Sequence, residues 1–333
     1  AMQRSLEYFE EHWGPFPHRT LRVAEVPGGA TFASSFPGVM AFAEGMAFTQ
    51  PKGDGGPIPL HAEEAAHAVD PLLWLVAHEV AHQWWTGQVP AAPALGAELV
   101  SESLAQYGAV CVIEEVYGGD VVAATARQHR ERYLQGRSRS DRDERTLVHV
   151  DEQDHLHYGK GLLAFHALAK TYGRDPINQA LRSLLQRHGG PHGRPLLSTE
   201  LLAALENELP PEATAKIDGL FRRIQFQDAA IDSATFQPES DGYRLIVEGG
   251  VRSVEADGRG EEVAVPYTGT VELEVSLQPG SFMITHRVDV ENGHFRLDVS
   301  GRQAPISVLL DPNLLLVDRD LSDNEAPAIE AQP

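Results

Sequence analysis

His78-Glu79-Val80-Ala81-His82, inside the run LLWLVAHEVAHQWW, constrains this chain more than any other stretch. Apolar residues recur there at spacings of three and four, which predicts a helix buried along much of its surface. Side chains four apart on a helix stand one above the other, with Cβ atoms about 6 Å apart. Both imidazoles therefore reach one metal ion, while the glutamate between them projects beside it as a general base. That is the arrangement by which a zinc site activates water. Polar groups on so apolar a helix need partners, because burying them alone costs free energy. His78 and His82 are accordingly candidate metal ligands, and Glu79 is a candidate catalytic base.

A catalytic zinc usually takes three protein ligands and keeps a fourth position open for water. Beyond His82 the candidates are Glu98 and Glu102, four apart and so on one face of the next helix. Spacing alone does not choose between them.

The chain has 333 residues, 42% of them apolar, which suits two domains with sizeable cores. Residues 3–13 read as a short helix and 21–26 as a strand. The segment 38–48 reads as a Gly-punctuated extended stretch at a sheet edge. From about 71 to 232 the pattern is helical, interrupted at 136–146 by a charged, solvated loop. Near 235 the period changes: TVELEVSL sets Val271, Leu273, Val275 and Leu277 on one face and Glu272, Glu274 and Ser276 on the other. Short alternating strands with Gly, Pro and Asn between them predict a small β-sandwich. The fold class is therefore α+β, with a mainly helical domain at 1–234 that begins with a short β portion. A β-sandwich follows at 235–322, and a disordered tail at 323–333.

Net charge is −21, from 48 acidic and 27 basic residues. Nucleic acid and anionic membrane would be repelled by such a surface. Cys111 is the single cysteine, which excludes an intramolecular disulfide and a cysteine zinc cage. Its place in AVCVI makes it a small core residue. No run of about twenty apolar residues exists, so nothing in the chain reads as a membrane span, and nothing reads as a signal peptide. The opening AMQRSLEYFEEHWG is already amphipathic helix, from which we expect a soluble piece of a longer protein. His61, His67, His155 and His157 read as surface groups without an assigned role.

Two further segments complete a pattern. LVSESLAQY lies at 99–107 and HYGKGLLAF at 157–165, both after HEVAHQWW. In that order the three resemble the gluzincin aminopeptidases, the aminopeptidase N and leukotriene hydrolase group, over roughly residues 2–232. The resemblance implies a thermolysin-like metallopeptidase fold, one zinc ion per chain and a peptide substrate. It aligns Glu102 with the family's third ligand, one residue further from the second histidine than usual, with the connection 89–96 absorbing the difference. Tyr158 matches the tyrosine of the Y-x-K-G motif, whose hydroxyl donates to the oxyanion. A phenol suits that task, being protonated at neutral pH. Within MAFAEGMAFTQ, Glu44 aligns with the glutamate that holds the substrate's α-amine, although the family's Gly-x-Met and asparagine around it are absent. An extended peptide would pair with the strand edge at 38–48. SLEYFEEHWGPFPHR and VAHEVAHQWW are most similar to a bacterial branch joined to ABC-transporter-type membrane segments, which implies tethering through segments outside this chain. The expected activity is a zinc aminopeptidase. A zinc hydrolase of relaxed specificity and a catalytically weak peptide-binding domain of a transport protein are the alternatives.

Overall fold

The computed structural model describes residues 1–27, 33–44, 70–190, 193–277 and 282–331. They fall into two compact units, Ala1–Arg222 and Arg223–Pro333. No helix among the described residues is long and apolar enough to cross a membrane. His61 and His67 lie outside the described residues.

In the first unit, helix α1 (Met2–His12) leads into strands β1 (Arg22–Val26), β2 (Ala33–Phe36) and β3 (Val39–Ala43), which form a sheet in the order β1-β3-β2. Helices α2 (Pro71–Ala81), α3 (Leu104–Tyr117), α4 (Gly119–Arg139), α5 (Gly161–Tyr172) and α6 (Arg174–His188) follow. Asp70 caps α2 by accepting from Leu72 N at 2.9 Å, and Pro71 occupies the first turn, where no N–H is needed. After His82 the chain leaves the helix and drives Trp84 and Trp85 into the core. There Phe9 and Trp13 stack at 4.3 Å, and Trp13 meets Trp85 edge-on at 5.6 Å. Buried indoles need hydrogen-bond partners. Trp84 Nε1 donates to Gly14 O and Trp13 Nε1 to Asn178 Oδ1, each at 3.1 Å. α3 crosses this cluster at Gly108, where a Cβ would stand 2.7 Å from the Trp13 ring and 3.0 Å from Ala81 Cβ. Glycine lets α3 come close to both Phe9 of α1 and Ala81 of α2.

Strand β3 corrects the sheet-edge expectation. Val39–Ala43 pairs in parallel with β1 and antiparallel with β2, so both rows of its backbone groups are used. Residues 45–48 of the predicted segment lie outside the described residues. The charged run 136–146 needs correcting as well. α4 continues to Arg139, and Glu144 is buried, accepting from Tyr133 Oη and Arg137 Nε, each at 2.6 Å, and facing Lys160 Nζ at 3.3 Å. Charge density alone does not expose a carboxylate that three donors can reach.

The second unit consists of two sheets. One has the order β11-β10-β7-β8, built from β7 (Gly269–Leu277), β8 (Phe282–Val290), β10 (Pro305–Leu310) and β11 (Glu325–Pro327). The other has the order β12-β4-β5-β6, with β9 (His294–Gly301) also paired to β5. Its members are β4 (Ile224–Glu239), β5 (Gly242–Ala256), β6 (Glu262–Val265) and β12 (Ile329–Glu330). One apolar cluster, including Ala229, Val247, Leu273 and Val308, draws on both sheets. Such an arrangement is a β-sandwich. β4 begins at Ile224, before the predicted boundary at 235. A register shift between Ile231 and Ser233 breaks the alternation that would have marked it.

The tail is not disordered through its described part. β11 pairs antiparallel with β10, and β12 pairs in parallel with β4. Ala326 and Ala328 pack on the core. Leu310 N donates to Asn324 O at 2.7 Å and Ala331 N to Phe236 O at 2.8 Å. Backbone pairing with existing strands orders a segment too polar and short to order itself.

Candidate metal centre

His78 and His82 occupy the last turn of α2 and its C-cap. Their Nε2 atoms stand 3.1 Å apart, and Glu102 Oε2 lies 3.2 Å from His78 Nε2 and 3.5 Å from His82 Nε2. The three form the group suited to a metal ion among the described residues. The His82 Nδ1–H donates to Trp85 O at 3.1 Å, which in the neutral ring turns the lone pair at Nε2 toward the other two acceptors. Acceptors gathered this way repel unless a proton or cation sits among them. Tetrahedral zinc, with bonds of about 2.0–2.1 Å, separates its ligands by roughly 3.3 Å. The observed separations match, so this donor set fits zinc.

Glu102 sits on a π-helical turn, Leu99–Ser103, which runs into α3. A π turn takes up more residues than an α turn. Glu98, the other candidate, is not in the group; its Oε2 accepts from Ser101 Oγ at 3.2 Å. Burial pushes the Glu102 carboxyl up, but the two imidazoles outweigh it and hold the group well below the usual carboxylate range. For His82, burial acts downward, and the Glu102 carboxylate raises it more. Glu79 is buried beside His78. Burial pushes its carboxyl up against the opposing charges of His78 and His82, and Oε2 has no hydrogen-bond partner among the described residues.

Tyr158 lies on a second π turn, His155–Lys160, ahead of α5. Its ring is 6.1 Å from the His78 ring, and burial, then the negative charge of Glu102, pushes the phenol pKa up. The two π turns are joined directly, because Ser103 Oγ donates to His157 O at 2.8 Å. They approach so closely that a Cβ on Gly161 would lie 2.3 Å from Ser103 Oγ. Lys160 is buried and paired with Glu144, which anchors the second turn to α4.

Glu44 follows β3 directly and is exposed. Elsewhere on this sheet, the hairpin that opens β3 is tied by Gln83 to the end of the helix that carries His78 and His82. Its Oε1 accepts from Gly38 N at 2.8 Å, and its Nε2 donates to Phe36 O at 3.0 Å and to Ser35 Oγ.

Sequence reasoning missed four residues here. Gln83 was visible in HQWW but carried no assigned role. His155 and His157 are buried rather than surface groups, stacked against Tyr133 at 6.4 Å and edge-on to Tyr158 at 4.3 Å. They are drawn inward because the π turn faces α4. His129 on α4 contacts Tyr158 O through Nδ1 at 3.0 Å, and burial, then the charge of Arg132, pushes it down to about 3. It is therefore neutral at physiological pH and donates Nδ1–H to that carbonyl. Nothing in the run RQHRERY marks such a contact.

No protein-family model and no curated protein sequence matches the chain. Among solved structures, the chain is similar to Legionella pneumophila aminopeptidase A in complex with aspartic acid, with TM-score 0.60 and 15% identity, over 99% of this chain and 34% of that one. It also matches an M1 zinc metallopeptidase from Deinococcus radiodurans, with TM-score 0.46 and 25% identity, over 65% of this chain and 42% of that one. The chain thus spans about a third of the aminopeptidase A chain, and the likeness is one of fold.

Proposed function

We propose that this chain is the catalytic part of a zinc-dependent peptidase that removes residues from the N-terminus of peptides. The observation that carries the reading is the triangle of His78, His82 and Glu102 donor atoms, 3.1–3.5 Å on a side, with Glu79 and Tyr158 flanking it. Zinc held there would lower the pKa of bound water toward about 7 and polarise a carbonyl. Glu79 takes a proton from the attacking water and passes it to the leaving amine, a task suited to a carboxylate whose pKa is raised toward neutrality. The Tyr158 hydroxyl stays protonated and donates to the carbonyl oxygen as negative charge develops on it. Glu44 pairs with the substrate ammonium and so selects the chain end. Because β3 is paired on both sides, the peptide does not add to Val39–Ala43 itself.

The test is zinc content together with hydrolysis of free and N-acetylated peptides, wild type beside Glu79→Gln. One zinc per chain, with cleavage of free peptides only and none in the variant, is the expected result. Cleavage of acetylated peptides would replace amine selection by a relaxed hydrolase. That second reading is favoured by the altered sequence around Glu44. Bound zinc without turnover would leave a peptide-binding domain, and absence of zinc would overturn the reading. The link to ABC-transporter-type membrane segments belongs to the same proposal and rests on the similarity at 5–19; the sequence adjoining this chain tests it.

A further inference from the structure

We propose that Arg132 is a carboxylate-recognition residue at the mouth of the metal centre, reading either the C-terminal carboxylate of a short peptide or an acidic side chain near its N-terminus. The inference rests on the peptidase reading. Arg132 lies on α4, three residues after His129, and so on the face that meets Tyr158. Its guanidinium carbon is 4.6 Å from the centroid of the Tyr158 ring, and that ring is 6.1 Å from the His78 ring. Together these separations put the guanidinium carbon no more than about 11 Å from the His78 ring, within the reach of about three extended residues.

A guanidinium drawn to an aromatic face by its charge still has N–H groups to donate, five in all. Arg132 is exposed, and no oxygen among the described residues accepts a hydrogen bond from its guanidinium. Asp154 acts on it through charge alone, and that carboxylate is itself largely exposed, 3.7 Å from His157 Nε2. Most arginines of this chain that carry partners hold carboxylates, as Arg137 holds Glu144 and Arg142 holds Asp151. Here a fork of donors instead lies over a ring of the candidate site, in a partly desolvated setting and without a carboxylate bonded to it among the described residues. A planar, bidentate fork is the geometry that matches a carboxylate. On a chain of net charge −21, such a cation also gives an anionic group a local attraction that the rest of the surface opposes.

The experiment compares wild type, Arg132→Lys and Arg132→Met, loaded with zinc, on one tripeptide in four forms. These carry a free or amidated C-terminus, each with a glutamate or a glutamine at the second position. Wild type should prefer at least one carboxylate form by about tenfold in kcat/KM, carried by KM, and Arg132→Met should bring that ratio close to one, with Arg132→Lys between them. A ratio that follows the terminus identifies the C-terminal carboxylate, and one that follows the side chain identifies an acidic residue. An equal fall in kcat for all four forms, with the ratios unchanged, would make Arg132 only a prop for Tyr158 and overturn the proposal, as would identical ratios in all three proteins. If wild type binds zinc but cleaves none of the peptides, the peptidase reading fails on its own. Calorimetric binding of the free and amidated tripeptides to wild type and Arg132→Met then decides the carboxylate site, and equal affinities would overturn it.

Discussion

Ser103 Oγ donates to the carbonyl of His157 at 2.8 Å, and through this bond the π turn bearing Glu102 is fastened to the π turn bearing Tyr158. A candidate metal-ligand carboxylate and a phenol 56 residues apart in sequence are thereby tied to each other. Gly161 permits the approach, since a Cβ there would lie 2.3 Å from Ser103 Oγ and 2.8 Å from Ser103 Cβ. Overpacking of this kind costs about 1–3 kcal/mol. Gly161→Ala should therefore destabilise the protein by that amount, and Ser103→Gly should recover part of the loss in the double variant. Chemical denaturation of the four proteins measures the coupling, and strictly additive effects would show that the turns are not in contact.

Buried Lys160 and Glu144 should respond to pH and to truncation. Removing one partner of a buried pair costs about 3–5 kcal/mol, so Glu144→Ala should lower stability on that scale. Burial pushes the Glu144 carboxyl up, and Lys160, Tyr133 and Arg137 pull it down further, leaving it below its ordinary 4.5. A depressed carboxylate contributes stability that is fully present above its unfolded pKa and is lost as pH falls through the folded one. Between about pH 5 and 3, wild type should lose more stability than Glu144→Gln. Parallel curves in urea titrations would sink the assignment.

Zinc should bind the folded chain through His78, His82 and Glu102 and raise its melting temperature. At a free concentration one hundred times Kd the stabilisation is about 2.7 kcal/mol. His82→Ala and Glu102→Ala should melt at a temperature that no longer depends on zinc, whereas Glu98→Ala should keep the shift. A scanning-calorimetry series with and without chelator reads this directly, and retention of the full shift in Glu102→Ala would move the third ligand elsewhere.

Gln83 should matter to the sheet as much as to the helix. Its amide satisfies Gly38 N, Phe36 O and Ser35 Oγ, and it is fully buried. Gln83→Ala would leave those groups unpaired, at about 1–3 kcal/mol. Gln83→Glu keeps the acceptor but loses the donor to Phe36 O, so it should be destabilising too. Amide exchange at residues 33–43 should accelerate in both variants; unchanged protection there would dismiss the tie.

Local sequence determined the parts of this protein that depend on local geometry. His78 and His82 converge because a helix repeats every 3.6 residues, and Asp70, Pro71 and the apolar spacing say where that helix lies. TVELEVSL reads as a strand because its side chains alternate. Glu102 was one of two equivalent candidates by spacing, and only the packing of α3 against α2 sets it, rather than Glu98, against the imidazoles. Tyr158, His129 and Arg132 meet through contacts between segments about thirty residues apart, which no periodicity encodes. The same holds for β3, which the sheet order β1-β3-β2 sets between two strands that both precede it in sequence, and for the tail, ordered by strands laid down earlier in the chain. A helix face is written in spacing. Which faces meet, and which charge is left open at their junction, is decided only when the packed core fixes the elements against one another.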